Sequence, residues 1–190
     1  LDVTPVNVAP TTSPVVLTPI AEDSGVRVIT QAELLVNASD ADGDSLTAAG
    51  LTISGGAGTL VDNGDGTWNY TPALNDDSSV SFSYTISDGT AAPIAAGASL
   101  DITPVNDAPT VANPLADQLA TEDIFFSFQF DSATFNDIDG DALTYSSDAS
   151  GWLSFDAPTR TFSGTPLNAD VGTTSVTVTA SDGNGGTDTA

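Results

Sequence analysis

A ten-residue phrase that returns after one domain length constrains this chain more than any other feature. Leu1–Pro10 reads LDVTPVNVAP and Leu100–Pro109 reads LDITPVNDAP, 99 residues further on, with changes only at Val3/Ile102 and Val8/Asp107. A repeat of that period marks an array of domains strung on a common joint. Within each copy, LD[VI]T alternates apolar and polar residues, the pattern of a half-buried strand. The following PVN-x-AP holds two prolines, which lack N–H donors and stop the chain from continuing in a sheet. Each copy therefore reads as the closing strand of one domain and the linker to the next. The division expected is 1–7 as the closing strand and linker of a preceding repeat, 8–104 as one domain and 105–190 as a second. Asn106 and Asp107 lie in the joint itself, where their oxygens offer ligands to a cation that clamps neighbouring domains.

Between the joints, Thr, Ser, Val and Ala dominate and turn residues recur every 8–12 positions or so, which predicts an all-β sandwich. In the first domain, strands are expected at Val15–Ile20, Val26–Thr30, Leu51–Ser54, Thr59–Val61, Thr67–Thr71, Val80–Ser87 and Ser99–Thr103. Thr30-Gln-Ala-Glu33 has the spacing of a capping box and predicts one short helical turn. Asp62–Gly66 reads as a hairpin turn, with a metal loop as the competing reading. The second domain keeps the rhythm, with strands expected at Ile124–Phe130, Leu143–Ser146, Trp152–Phe155, Arg160–Ser163 and Thr174–Ala180. Only eight residues follow Asp182, so this domain is expected to lack its closing strand and to leave Thr174–Ala180 as an open edge. Two readings follow for Leu1–Thr4: it is frayed, or it pairs with that edge in a second molecule as a head-to-tail strand exchange between otherwise monomeric chains.

The chain is strongly acidic. Against 26 Asp and Glu stand 2 Lys and Arg and no His, for a net charge of −24. No basic patch is available for nucleic acid or anionic lipid. With no Cys, thiol chemistry is excluded and the compartment stays open. No stretch approaches the roughly 20 apolar residues of a membrane span. No signal peptide is evident, and the opening strand pattern reads as that of an excised segment.

The acids fall into four landmarks that recur in the same order in both domains. The first is a Glu-Asp pair, Glu22-Asp23 and Glu122-Asp123. The second is a D-x-D-G-D loop, Asp40, Asp42 and Asp44, then Asp137, Asp139 and Asp141. The third precedes the penultimate strand, Asp76-Asp77 and Asp170, and the fourth follows it, Ser87-Asp88-Gly89 and Ser181-Asp182-Gly183. Carboxylates two apart in a loop converge on one hard, oxygen-seeking cation while the glycine lets the backbone turn. Calcium is the cofactor this predicts; a merely solvated acidic surface is the alternative. An EF-hand is rejected, because the twelfth loop position, which needs a bidentate Glu, holds Leu51 or Asp148.

The landmarks resemble those of cadherin repeats: VNDAP is similar to the family's linker, Asp137/Asp139 to its D-x-D and Ala180-Ser-Asp182 to the A-x-D of its later motif. The resemblance implies two tandem cadherin-like (immunoglobulin-like) Greek-key β-sandwiches. It implies a calcium joint built from Glu22, Asp76 and Asp77 of the first domain, Asn106 and Asp107 of the linker, and Asp137, Asp139 and Asp182 of the second. Asp40, Asp42 and Asp88 are then a half-site of the same kind, lacking a preceding domain and with Val8 in place of the linker Asp. Thr134–Ser146, Trp152–Phe155 and Thr161–Gly185 resemble the dystroglycan-type cadherin-like module. Gly66–Pro72 and Ile86–Gly89 resemble tandem repeats of long bacterial surface proteins.

This implies a non-catalytic, calcium-rigidified stalk segment of a bacterial repeats-in-toxin-type adhesin, extracellular, with neighbouring repeats of its own chain as partners. The runner-up is a calcium-dependent carbohydrate- or peptide-binding module of a secreted protein, with Trp68, Tyr70, Tyr84, Tyr145 and Trp152 as stacking rings. The competing reading places those rings in the core. A glycosidase with paired carboxylates is the third reading, and the chain is expected not to be an enzyme.

Overall fold

The computed structural model describes every residue except Asp2, Val3 and Pro5. The strand expected at Leu1–Thr4 falls on two of these and so lies outside the described residues. The chain divides into two compact units, Leu1–Val105 and Asn106–Ala190.

The first unit contains β1 (Val15–Ala21), β2 (Arg27–Thr30), a helical turn α1 (Gln31–Leu34), β3 (Thr47–Gly55), β4 (Thr59–Asp62), β5 (Thr67–Thr71), β6 (Val80–Ser87) and β7 (Ile94–Thr103). One sheet has the order β1-β7-β6-β3 and the other β2-β5-β4. β1 runs parallel to β7, and the remaining pairs are antiparallel. β6 shows why these residues make a sandwich: Val80, Phe82, Tyr84 and Ile86 are buried while the residues between them are exposed. They pack with Ile29, Trp68 and Tyr70 of the other sheet and with Leu100 and Ile102 of β7 into one core. Burying each such side chain contributes about 1.5–3 kcal/mol.

Local chemistry sets the connections. Thr30 and Glu33 form the expected capping box: Thr30 Oγ1 accepts from the Glu33 amide at 3.3 Å, and Glu33 Oε2 accepts from the Thr30 amide at 2.8 Å. Arg27 Nη2 adds an ion pair to Glu33 Oε1 at 2.9 Å. In the β4–β5 hairpin, Asp62 Oδ1 accepts from the Gly64 amide at 2.8 Å and Asp65 Oδ1 from the Thr67 hydroxyl at 2.6 Å. Both carboxylates thus serve their own turn, as the hairpin reading expects. β3 and β7 are longer than expected because Ala48 and Ala96, weak strand formers, are recruited by pairing with Ile86 and Tyr84 of β6.

The second unit contains β8 (Thr110–Val111), β9 (Phe126–Gln129), β10 (Phe135–Asn136), β11 (Thr144–Ser147), β12 (Leu153–Asp156), β13 (Thr161–Gly164), β14 (Val178–Ser181) and β15 (Thr187–Thr189). Its sheets are β12-β13-β9 and β11-β14-β15, with the pair β10-β8 beside them. The core is aromatic: Phe130 meets Tyr145 edge-on at 5.4 Å and stacks with Phe155 at 6.0 Å.

Two expectations are corrected here. The strand expected over Thr174–Ala180 starts only at Val178, because Asp148 Oδ1 accepts the Thr177 amide at 2.7 Å and diverts the ladder. The edge expected to lie open over Thr174–Ala180 is paired where β14 lies, since β15 runs antiparallel to it from Thr187↔Ser181 to Thr189↔Thr179. Val178 and Ala190 exchange two further backbone bonds, at 2.8 and 2.9 Å. The edge at Val178–Ser181 is therefore filled. β15 starts five residues after Asp182, at Thr187, much as β7 starts six residues after Asp88, at Ile94. Of the five candidate stacking rings, Trp68, Tyr70 and Tyr84 are core residues, exposed by 4 % or less.

Candidate metal centres

The first unit carries acids at both ends of its penultimate strand. In the first unit, Asp76-Asp77 precede β6 and Asp88 follows it, a separation of about 27 Å for eight residues at about 3.4 Å each.

At the end marked by Asp88, the D-x-D-G-D loop folds on itself. Asp40 Oδ1 accepts from the amides of Asp42 at 2.8 Å and Asp44 at 3.3 Å, an Asx-type turn. Gly43, at φ +82°, supplies the left-handed turn. Carboxylate oxygens of Asp40, Asp42 and Asp44 lie within 4.8 Å of one another. The linker then docks on this loop: the Val8 amide donates to Asp42 Oδ2 at 2.7 Å and Asn7 Nδ2 to Asp88 Oδ2 at 3.0 Å. The other Asp88 oxygen accepts from the amides of Thr90 and Ala91, each at 2.8 Å.

The second unit repeats the bonds of this cradle and adds others. Asp137 Oδ1 accepts from the amides of Asp139 at 3.1 Å and Asp141 at 3.2 Å, and these three acids cluster within the same 4.8 Å. The Asp107 amide donates to Asp139 Oδ2 at 2.7 Å, and Asn106 Nδ2 to Asp182 Oδ2 at 2.8 Å. Asp182 is buried, and its Oδ1 gathers the amides of Asn184, Gly185 and Gly186 at 2.8–3.1 Å. Asn184 Nδ2 also donates to Asp141 Oδ2 at 2.7 Å.

The bonds to Asp88 and Asp182 favour their ionised forms. The Asn106 side chain, ahead of the loop amides, holds the Asp182 carboxyl below its ordinary value despite some desolvation. Asn7 acts likewise on Asp88, followed by the amides of Thr90 and Ala91. In each triad one oxygen stands apart: Asp40 Oδ2 and Asp137 Oδ2 are shielded from solvent and have no hydrogen-bond partner among the described residues. An unpaired, buried carboxylate oxygen is costly, and a cation would satisfy it. The donor set, all oxygen and carboxylate-rich, fits calcium.

The other end of the first unit is tied differently. Glu22 is buried, with Oε1 accepting from the Val105 amide at 2.7 Å and its own amide donating to Thr103 O at 3.0 Å. Asp23, at φ +55°, accepts the Asn75 amide on Oδ1 at 3.1 Å, which brings the Glu22-Asp23 turn to the Asp76-Asp77 turn. Asp76 accepts from the Ser78 amide at 2.9 Å, and bonds from Ser78 lower its pKa; Asp77 is exposed.

The structure thus unites Asp40, Asp42 and Asp88 around one linker, and Asn106, Asp107, Asp137, Asp139 and Asp182 around the other. Glu22 joins the backbone of the linker rather than an acid of its own unit. Sequence reasoning missed Asn7, whose role is legible only from its register with Asn106. It also missed Gly186, where a Cβ would collide with Asp182 Oδ2 and lie 2.6 Å from Ala108 Cα.

Two β-sandwich units in tandem, each opening with a proline-bearing linker seated on acidic loops, define a class of sandwich repeats. Residues 6–103 match the family model of the cadherin-like domain and residues 108–190 that of a putative Ig domain; the chain belongs to the cadherin-like domain family. Cadherin-like domains generally bind calcium and are typically extracellular and non-catalytic. Among solved structures, the chain is similar to the Drosophila N-cadherin EC1-4 structure at 17 % identity and TM-score 0.62, over 97 % of this chain and 48 % of that one. It is similar to the protocadherin gamma B4 extracellular domain at 16 % identity and TM-score 0.56, over 95 % and 31 %. It also matches the endo-fucoidan hydrolase MfFcnA4 from glycoside hydrolase family 107 at 26 % identity and TM-score 0.39, over 95 % and 27 %. The chain thus spans about a quarter to a half of the length of these proteins. No curated protein matches it in sequence. Among the described residues, no helix is long and apolar enough to cross a membrane.

Proposed function

We propose that this chain is a calcium-stiffened, non-catalytic stalk segment of a bacterial cell-surface adhesin of the repeats-in-toxin type, which projects or positions a ligand-binding domain. The second unit is then of the dystroglycan type, and the partners are neighbouring repeats of the same chain. The observation that carries the reading is the duplicated cradle with one orphaned carboxylate oxygen in each copy, Asp40 Oδ2 and Asp137 Oδ2.

Calcium would be held by Asp40, Asp42 and Asp88 in the first unit, and by Asp137, Asp139, Asp182 and the linker residues Asn106 and Asp107 in the second. The ion supplies charge neutralisation and a hard oxygen-binding centre. The chain's own residues do the rest. Asn7 and Asn106 orient the carboxylates of Asp88 and Asp182, and the linker amides of Val8 and Asp107 fix those of Asp42 and Asp139. Glu22 holds the Val105 amide, and Asp76 and Asp77 add charge beside it. A linker so anchored loses its freedom, whereas the same acids without a cation repel one another and loosen it.

Thermal melting in calcium and in chelator at matched ionic strength tests this. Calcium at about a hundred times Kd adds about 2.7 kcal/mol, so the melting temperature rises; identical melts in both buffers contradict the reading.

A further inference from the structure

Asparagine is followed by glycine at two places in the chain, Asn63-Gly64 and Asn184-Gly185. This dipeptide is chemically labile, because glycine has no Cβ to hinder its own amide nitrogen from attacking the neighbouring side-chain Cγ. Both asparagines and both glycines are exposed, so water reaches them. Their side-chain partners differ. In the β4–β5 hairpin, Asn63 Nδ2 donates to neutral oxygens, Thr67 Oγ1 at 2.9 Å and Asn69 Oδ1 at 3.1 Å. In the second unit, Asn184 Nδ2 donates to a carboxylate, Asp141 Oδ2, at 2.7 Å.

The attacking nitrogen is held as well. The Gly185 amide donates to Asp182 Oδ1 at 3.1 Å, beside the Asn184 amide at 2.8 Å. That nitrogen becomes a nucleophile only on losing its proton, and the negative charge it would then carry beside Asp182 makes the loss costly. The Gly64 amide is held by Asp62 Oδ1 in the same way, so the side-chain partner is what sets the two places apart. The bond to Asp141 resists the rotation that turns Asn184 Cγ towards the Gly185 nitrogen, and a hydrogen bond to an ionised acceptor is the stronger kind. Two acids of the second unit thus latch a reactive pair that its loop exposes to water.

We propose that Asn184 is a deamidation site whose rate is set by the Asp141 latch and whose product loosens the acidic loops of the second unit. When the latch opens, the Gly185 nitrogen passes its proton to solvent and bonds to Asn184 Cγ. The Cγ–Nδ2 bond breaks, and Nδ2 takes a proton from water and leaves as ammonia, which gives a cyclic imide. Water then opens the imide at either carbonyl, leaving aspartate or isoaspartate at position 184; nothing is oxidised or reduced. Either product puts a carboxylate where a donor faced Asp141, so an attraction becomes a like-charge repulsion. Isoaspartate also adds a methylene to the backbone of a loop in which Gly186 already lies against Asp182 and Ala108. The loop that seats Asn106 on Asp182 at 2.8 Å is thereby weakened.

Peptide mapping by mass spectrometry tests this on the whole chain, incubated at neutral pH in chelator, as the wild type, Asp141→Ala and Asp141→Asn. Asp141→Ala removes the acceptor, and deamidation at Asn184 accelerates about tenfold, the factor that one hydrogen bond to a charged group represents. Asp141→Asn keeps an acceptor oxygen and stays nearer the wild-type rate, whereas a loosening caused by lost charge alone would accelerate both variants alike. The rate at Asn63 is the same in all three chains and serves as the internal reference. Asn184→Asp installs the product charge directly and melts lower than the wild type in the same buffer. Should Asp141→Ala fail to fold, Asp141→Ser, too short to reach Asn184, takes its place. Equal rates at Asn184 in the wild type and Asp141→Ala overturn the proposal. So does Asp141→Asn reacting as fast as Asp141→Ala, or Asn184→Asp melting with the wild type. No arm contains calcium, so the calcium reading is judged separately, by the melting experiment above.

Discussion

Single side chains decide how the acidic loops are held. Gly186 lies directly against the Asp182 carboxylate and Ala108, so its missing Cβ is what lets three amides close on one oxygen. Gly186→Ala should push the loop away and destabilise the second unit by about 1–3 kcal/mol, read as a lower urea midpoint with unchanged slope. Glu33 gives a residue-scale prediction of the opposite kind. Burial raises its pKa, but the Thr30 amide, then Arg27 and the Thr30 hydroxyl, outweigh this and bring it below 4.5. A depressed carboxyl contributes stability that is complete above its unfolded pKa and lost as the pH falls through the folded value. The melting temperature of the wild type should therefore fall more steeply than that of Glu33→Gln as the pH drops below about 4.5. Parallel curves would mean that the cap bond does not depend on charge.

At the scale of elements, β6 organises the first unit. Its four inward side chains join the two sheets, and Tyr84 reaches across to donate its buried hydroxyl to Leu34 O at 2.7 Å, closing the end of α1. Tyr84→Phe leaves that carbonyl unpaired and should cost about 1–3 kcal/mol in denaturant unfolding; an unchanged midpoint would show that the helical turn does not depend on it. This element was legible in the sequence because its alternation is strict, as were the capping box and the Asp62–Gly66 hairpin, whose turn chemistry is local. The alanines of β3 and β7 were not, since only pairing with β6 makes them strand. The lower half of Thr174–Ala180 was over-read because alternation says nothing of the Asp148 side chain that takes the Thr177 amide. The start of β15 was missed because the tight turn before it depends on the Asp182 carboxylate collecting three amides, an arrangement with no periodic signature. The D-x-D-G-D loops were legible from spacing alone, whereas the only sequence signal for the docking of Asn7 on Asp88 is its register with Asn106 in the repeated phrase.

For the whole molecule, a net charge of −24 sets the terms. Self-repulsion on that scale destabilises a compact state unless cations offset it, and the duplicated acidic cradles concentrate it beside both linkers. The central claim is that these cradles are calcium sites. Calcium titration by isothermal calorimetry tests it most directly, on the wild-type chain and on Asp40→Asn and Asp137→Asn. The account predicts saturable calcium binding by the wild type, with the site of each substituted loop weakened about tenfold or more as a carboxylate ligand is lost. Heats no larger than dilution up to roughly millimolar calcium, or titrations that neither substitution alters, would contradict it.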